Sequence, residues 1–354
     1  MPKEISELLK LMVERKASDL HISAGASIQL RIDEKLVPID DHILSPDESK
    51  HLSYSTLSED HIKKFESDLE LDMAFGIKGL GRFRTNVFQQ RGTIGCAIRL
   101  IPCDIWTFEQ CGLPADIMIN LCKKPKGLVL VTGATGSGKS TSLASMIDWI
   151  NKDRNCHIVT VEDPIEFIHS NKKAIVHQRE IYSDTHSFGK ALRHVLRQDP
   201  NVILIGELRD LETIEAALII AETGHLVFAT LHTSDCVQTI NRIIDVFPAH
   251  QQQQIRTQLS FVLIGVLSQQ LIPKPDGKGR ILAMEILLSN PALRSLIRES
   301  KAHQIYSIMQ TSQKEGMKTM NQALYELYQN KLISYEGAFE RTTDPDDLVR
   351  LFKK

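Results

Sequence analysis

Gly127 to Ser140 reads GLVLVTGATGSGKS, an apolar run from Leu128 to Val131 that breaks into a glycine-rich loop closing on Lys139, Ser140 and Thr141. The spacing matches G-x-x-x-x-G-K-[ST] at Gly133, Gly138, Lys139 and Ser140, a pattern that a chain of this length would hold about 0.01 times by chance. The apolar run predicts a buried strand, and SLASMIDWI beyond the loop carries its apolar residues at helical spacing. Strand, loop and helix in that order are the context the motif requires. Backbone N–H groups of Ala134, Thr135, Gly136, Ser137, Gly138 and Lys139 can then wrap a phosphate, with the positive end of the helix aimed at it. Lys139 is placed to neutralise outer phosphates, and the Ser140 hydroxyl to ligate Mg²⁺.

The rest of the chain is that of an ordinary globular protein. Its 354 residues suffice for two cores, with 42% hydrophobic and 24% charged residues. A formal net charge of −2 gives no overall basic surface, which argues against nucleic acid as the main partner. The six cysteines include no C-x-x-C pair, so neither a zinc knuckle nor a redox motif is written, and reduced cytosolic thiols are expected. The start, MPKEISELLKLMVERK, is charged throughout and unlike a signal peptide, and no apolar run approaches a membrane span.

Taken in order, residues 4–15 predict a short amphipathic helix, and SDLHIS and Ile28 to Ile32 alternate as strands, with a turn at Asp33-Glu34-Lys35 leading to Leu36 to Ile39. Residues 47–66 read as helical and Leu69 to Ile77 as extended, before RFRTNVFQ. This first part, residues 1–100, is expected to be a small α+β domain. In Arg82-Phe83-Arg84 the period of two puts both guanidinium groups on one face, and Arg99 ends the next alternating run, TIGCAIR. They form either a solvated sheet face or arginine fingers that reach a nucleotide. The proline-flanked stretch 101–114 reads as a linker. Beyond it apolar strands and helices alternate, which predicts a mostly parallel sheet covered on both faces, with ligands at the strands' carboxyl ends.

Those carboxyl ends are chemically rich. His157 to Val161 leads into Glu162 and Asp163, an acidic pair suited to holding Mg²⁺ through water or to orienting an attacking water. Val202 to Gly206 leads into Glu207, where many P-loop proteins place an Asp at the position of Gly206; a lone Glu is better suited to polarising water. The third strand is bracketed by His225 and His232, seven apart and without a third ligand, which is not zinc spacing. They are either structural, or neutral hydrogen-bonding groups that sense the γ-phosphate or link the site to the next subunit.

Together, LRQDPNVILIGELRD at 196–210, the phosphate loop before it and AETGHLVFATLHT after it resemble the type II/IV secretion and type IV pilus ATPases. Within these the chain resembles the pilus retraction ATPases, the PilT family, through SDLHISAG, GRFRTNVF, AIRLIP, TVEDPIEF and TINRIIDVFP. The resemblance implies an N-terminal PAS-like domain and a RecA-like P-loop domain at 115–354, whose C-terminal helical part starts at about 289. It further implies a homo-hexamer that uses ATP and Mg²⁺ at the cytoplasmic face of an inner membrane, with a membrane platform protein and a paralogous retraction ATPase as partners. By the same token Gly133 to Thr141 would be the Walker A loop, Glu162 and Asp163 the acidic box, and Glu207 the catalytic glutamate. His225 and His232 would be the histidine box, and Arg82, Arg84 and Arg99 the arginines that approach nucleotide. ALRSLIR at 292–298 resembles a segment tied to retraction.

The sequence departs from the family pattern at Ala134, Asn201 and Leu293, none of which removes a reacting group. Extension and type II secretion ATPases commonly carry a tetracysteine zinc segment where this chain reads QLIPKPDGKGRILAME, a hairpin-like pair of strands at 270–285. The expected function is therefore an ATP-driven retraction motor. The alternatives are an accessory PilU-like retraction ATPase, an extension or secretion ATPase, a RecA-like nucleic-acid translocase and a non-hydrolysing nucleotide binder.

Overall fold

The computed structural model describes residues 4–32, 35–101, 104–277 and 279–353. It divides into two units, Met1–Asp104 and Ile105–Lys354. The turn expected at Asp33-Glu34 lies outside the described residues, as do Pro102 and Cys103 of the expected linker.

The first unit runs α1 (Ile5–Glu14), β1 (Asp19–Ile22), β2 (Gln29–Ile32), β3 (Lys35–Pro38), α2 (Pro46–Tyr54), α3 (Glu59–Asp68), β4 (Glu70–Ile77), β5 (Gly81–Gln90) and β6 (Thr93–Ile101). Its strands form one antiparallel sheet, ordered β3-β2-β1-β6-β5-β4. Alternation supplies the core: Leu20, Ile22, Phe83, Val87 and Ile98 are buried, and Leu8, Leu9 and Met12 of α1 belong to the same cluster. The helix expected over 47–66 is two helices, because Ser58 accepts a hydrogen bond from the His61 N–H and starts α3 afresh. On the face opposite Phe83 the strand register sets Arg31 beside Asp19, Asp19 beside Arg99 and Arg99 beside Arg84.

The second unit begins with α4 (Phe108–Cys111) and α5 (Ala115–Cys122), then β7 (Gly127–Thr132), α6 (Lys139–Asp153), β8 (His157–Glu162), β9 (Ile175–Glu180) and α7 (Phe188–Val195). It continues with β10 (Val202–Ile205), α8 (Leu211–Glu222), β11 (Leu226–Leu231), α9 (Cys236–Asp245), α10 (Ala249–Val262), β12 (Leu263–Pro273) and β13 (Arg280–Leu288). The sheet order is β13-β12-β7-β11-β10-β8-β9, parallel except for the antiparallel β12–β13 hairpin. Every residue of β7 is buried because both faces are covered. Leu128 and Leu130 join the core that holds Ile214 of α8 and Leu259 of α10, while Val129 and Val131 join the core that holds Met118 of α5 and Met146 of α6.

The stretch read as a linker is largely built into this unit. Thr107 and Gln110 form a capping box, Phe108 and Leu113 are buried, and Ser145 Oγ donates to the Trp106 carbonyl at 2.8 Å. The chain closes with α11 (Pro291–Arg298), α12 (Ile305–Thr311), α13 (Met320–Gln329), α14 (Tyr335–Phe339) and α15 (Pro345–Phe352). Met317, Met320 and Leu324 are buried there, as packing residues. Among the described residues no helix is long and apolar enough to cross a membrane.

Candidate active site

Parallel strands deliver their carboxyl ends to one edge of the sheet, and there the loop after β7 meets the ends of β8, β10 and β11. A cavity of about 420 Å³ lies at this edge, lined by Lys139, Ser140, Glu162, Asp163, Glu207 and His232 among others. The loop's shape depends on its glycines. Gly133 has φ +138°, and a Cβ there would stand 2.4 Å from the Gln269 carbonyl oxygen and 2.6 Å from Ser137 Oγ. Helix α6 starts at Gly138 with no side-chain cap, so its first N–H groups remain available to an anion. Lys139 Nζ donates to the carbonyls of Gly133 at 2.8 Å and Ala134 at 3.1 Å, which holds the ammonium over the loop. Burial lowers its pKa, against the opposing pull of Glu207 and Glu166.

Glu162 closes β8. Its Oε1 accepts from Thr160 Oγ1 at 2.6 Å and Gln178 Nε2 at 3.2 Å, and burial pushes its pKa up to about 7. A cation beside it would favour the ionised form. Together with Asp163 and the Ser140 hydroxyl it offers the hard oxygen donors that Mg²⁺ prefers.

Glu207 follows β10 by way of Gly206, and the glycine has a local reason. A Cβ at 206 would meet Glu162 Cα at 3.2 Å and the Val161 carbonyl oxygen at 3.3 Å, so a side chain there would push the two strand ends apart by a few tenths of an ångström. Thr230 Oγ1 donates to the Gly206 carbonyl at 2.5 Å, which ties β11 to the same turn. Glu207 Oε1 stands 3.5 Å from His232 Nε2, and its Oε2 is 2.9 Å from an Arg209 guanidinium nitrogen. Arg209 also reaches Asp163, at 3.6 Å.

The two histidines do not share this edge. His225 precedes β11 at its amino end, where its carbonyl accepts from the Gly127 N–H and its Nδ1 lies 3.1 Å from the Ile220 carbonyl oxygen. A six-residue strand separates it from His232, roughly 20 Å along the sheet. Arg82, Arg84 and Arg99 lie on one face of the first unit's sheet, where Arg84 faces Asp72 at 3.8 Å and Arg99 Nε donates to Asp19 Oδ1 at 2.8 Å. Sequence reasoning missed Arg209, although it stands inside the GELRD signature, and Gln178, which comes from a strand whose polar alternation hid it.

Comparison with known proteins agrees with this architecture. A family model described as Type II/IV secretion system protein matches residues 1–336. The chain is 46% identical over 344 residues to the Type IV pilus retractation ATPase PilT of Pseudomonas aeruginosa, covering 97% of this chain and 99% of that protein. It is 42% identical over 350 residues to the Type IV pilus ATPase PilU of the same organism, covering 99% and 91%. A crystal structure of the pilus retraction motor PilT with bound ADP superposes with a TM-score of 0.92 at 50% identity, over 98% of this chain and 99% of that one. The α/β fold expected for a RecA-like P-loop domain with a smaller α+β partner is therefore the one found. With the family model spanning both units and a solved motor matched nearly end to end, the chain belongs to the type II/IV secretion system protein family.

Proposed function

We propose that this chain is the subunit of an ATP-hydrolysing motor that powers type IV pilus retraction. The observation that carries the reading is the convergence of Lys139, Glu162 and Glu207 on one cavity beside the phosphate loop, in a chain that matches a retraction motor over nearly its whole length. Loop N–H groups and Lys139 hold the phosphates of ATP, and Thr141 completes the Walker A segment. Ser140, Glu162 and Asp163 would hold Mg²⁺, which when bound neutralises phosphate charge. Glu207 accepts a proton from water as its oxygen attacks the γ-phosphorus and the bond to the β–γ bridging oxygen breaks. His232 stands beside Oε1 of Glu207. His225, at the far end of β11, is assigned to communication with a neighbouring subunit rather than to the reacting atoms. Arg82, Arg84 and Arg99 are assigned to offset charge that builds on the γ-phosphate. The motor works as a homo-hexamer at the cytoplasmic face of an inner membrane and pulls on a platform protein.

Replacing Glu207 with Gln should abolish turnover while ADP binding stays within about threefold of wild type; undiminished phosphate release would refute the assignment. In the host, deleting the gene should leave abundant surface pili and no surface motility, whereas bald cells would make this an extension motor. A second reading, an accessory PilU-like retraction ATPase, is favoured by the 42% identity over 99% of the chain. It predicts retained motility whenever a paralogous motor is present.

A further inference from the structure

Glu207 and Arg209 stand on a turn that is fixed at both ends. The Leu208 N–H donates to the Thr230 carbonyl at 2.9 Å, and Leu208 itself is buried in the core. Two residues on, Asp210 caps α8 by accepting from the Thr213 N–H at 2.9 Å. With Leu208 facing inward, residues 207 and 209 project on the other side. There the Arg209 guanidinium spans two carboxylates that follow different strands, β10 and β8, at 2.9 Å from Glu207 Oε2 and 3.6 Å from Asp163 Oδ2. The other oxygen, Glu207 Oε1, stands 3.5 Å from His232 Nε2, and both residues line the cavity.

We propose that Arg209 is the positioning residue for Glu207, engaging one carboxylate oxygen so that the other is aimed at the attacking water. The inference rests on the reading of Glu207 as the group that takes the proton from water. A planar fork suits this task better than an ammonium, because its direction is fixed at two nitrogens rather than at one rotating point. The Arg209 side chain is 58% exposed, so its ion pairs contribute little to the stability of the fold. Their effect falls on catalytic geometry, where a small misplacement of the reacting group slows the chemical step.

The test is steady-state ATP hydrolysis by the full-length chain, paired with fluorescent ADP binding and thermal melting. Arg209→Ala should lower kcat by about 10- to 100-fold while KM and ADP affinity stay within about threefold. Arg209→Lys should recover part of the loss, because it restores the charge without the fork. An Arg209→Ala protein with wild-type kcat would overturn the proposal, provided Glu207→Gln is inactive in the same assay. Equal losses in kcat and ADP affinity would overturn it too, making Arg209 a nucleotide contact. A melting temperature lowered as much by Lys as by Ala would make the pair structural instead. If Glu207→Gln keeps wild-type turnover, the reading of Glu207 itself falls, and the role of Arg209 with it.

Discussion

Gly133 and Gly136 belong to one motif, yet alanine should act very differently at the two positions. Gly133 has φ +138°, a region that L residues enter only with strain of about 1–3 kcal/mol. The added methyl would also stand 2.4 Å from the Gln269 carbonyl oxygen, a backbone atom of β12 that cannot turn aside as the Ser137 hydroxyl can. Overpacking of that kind costs a further ~1–3 kcal/mol, so Gly133→Ala should lose about 2–6 kcal/mol unless β7 and β12 separate. Gly136 has φ +78° and nothing within 4 Å of its added methyl, so its alanine should cost only the left-handed backbone, about 1–2 kcal/mol. In a unit of this size each kcal/mol moves the melting temperature by about 2–4 °C. Differential scanning calorimetry of the two variants should therefore find Gly133→Ala melting lower than Gly136→Ala by several degrees or more. Equal melting temperatures would refute the argument that the carbonyl of β12 sets the shape of the loop.

Two further perturbations test buried polar groups of the same unit. His169 lies beside the phosphate cavity with its pKa lowered to about 4 from 6.5, mainly by burial, so the unfolded chain takes up a proton in that range that the folded chain refuses. Stability should be undiminished by this group above pH 6.5 and fall by up to about 3 kcal/mol as the pH drops toward 4, a loss that His169→Gln should remove from urea titrations across that window. Glu285 is buried and accepts the Cys236 N–H of α9 at 2.7 Å and the Met320 N–H of α13 at 3.1 Å. Glu285→Ala leaves both helix starts unpaired and should cost about 2–5 kcal/mol; a loss below 1 kcal/mol in denaturant melts would show that water replaces the carboxylate.

What the residues reveal in advance follows from how local their constraint is. The apolar run of β7 has to be buried on both faces, and with the glycine loop after it the parallel sheet, the helix α6 and the cavity edge are legible from one stretch. β9 is not, because an edge strand reading IVHQRE needs only one apolar face and gives no continuous signal, yet it delivers Gln178 to Glu162. The expected linker, 101–114, contains the division between the two units, which falls after Asp104, but most of it is folded into the second unit rather than being a free connector. Its prolines suggest a break, but Phe108 and Leu113 are buried, and apolar residues interrupted by prolines and a glycine make no single helical or strand period.

The histidine pair shows where further reasoning would have sufficed. In sequence His225 and His232 bracket β11 symmetrically, and only the direction of the strand distinguishes them. β11 pairs in parallel with β7, Leu226 beside Gly127 and Leu231 beside Thr132, so whatever follows Leu231 arrives beside the loop and whatever precedes Leu226 arrives at the opposite edge. The parallel sheet was already expected from the alternation of strands and helices, and ligands gather at the carboxyl ends of such strands. Those two premises alone place His232 at the edge that carries the phosphate loop and Glu207, and His225 at the opposite edge. Arg209 needs more: its place two residues after Glu207 shows that the two share a side of the chain, but its second contact comes from Asp163, just beyond the end of β8 and 46 residues earlier. A side chain whose role is to join two strand ends becomes legible only when both ends are in place.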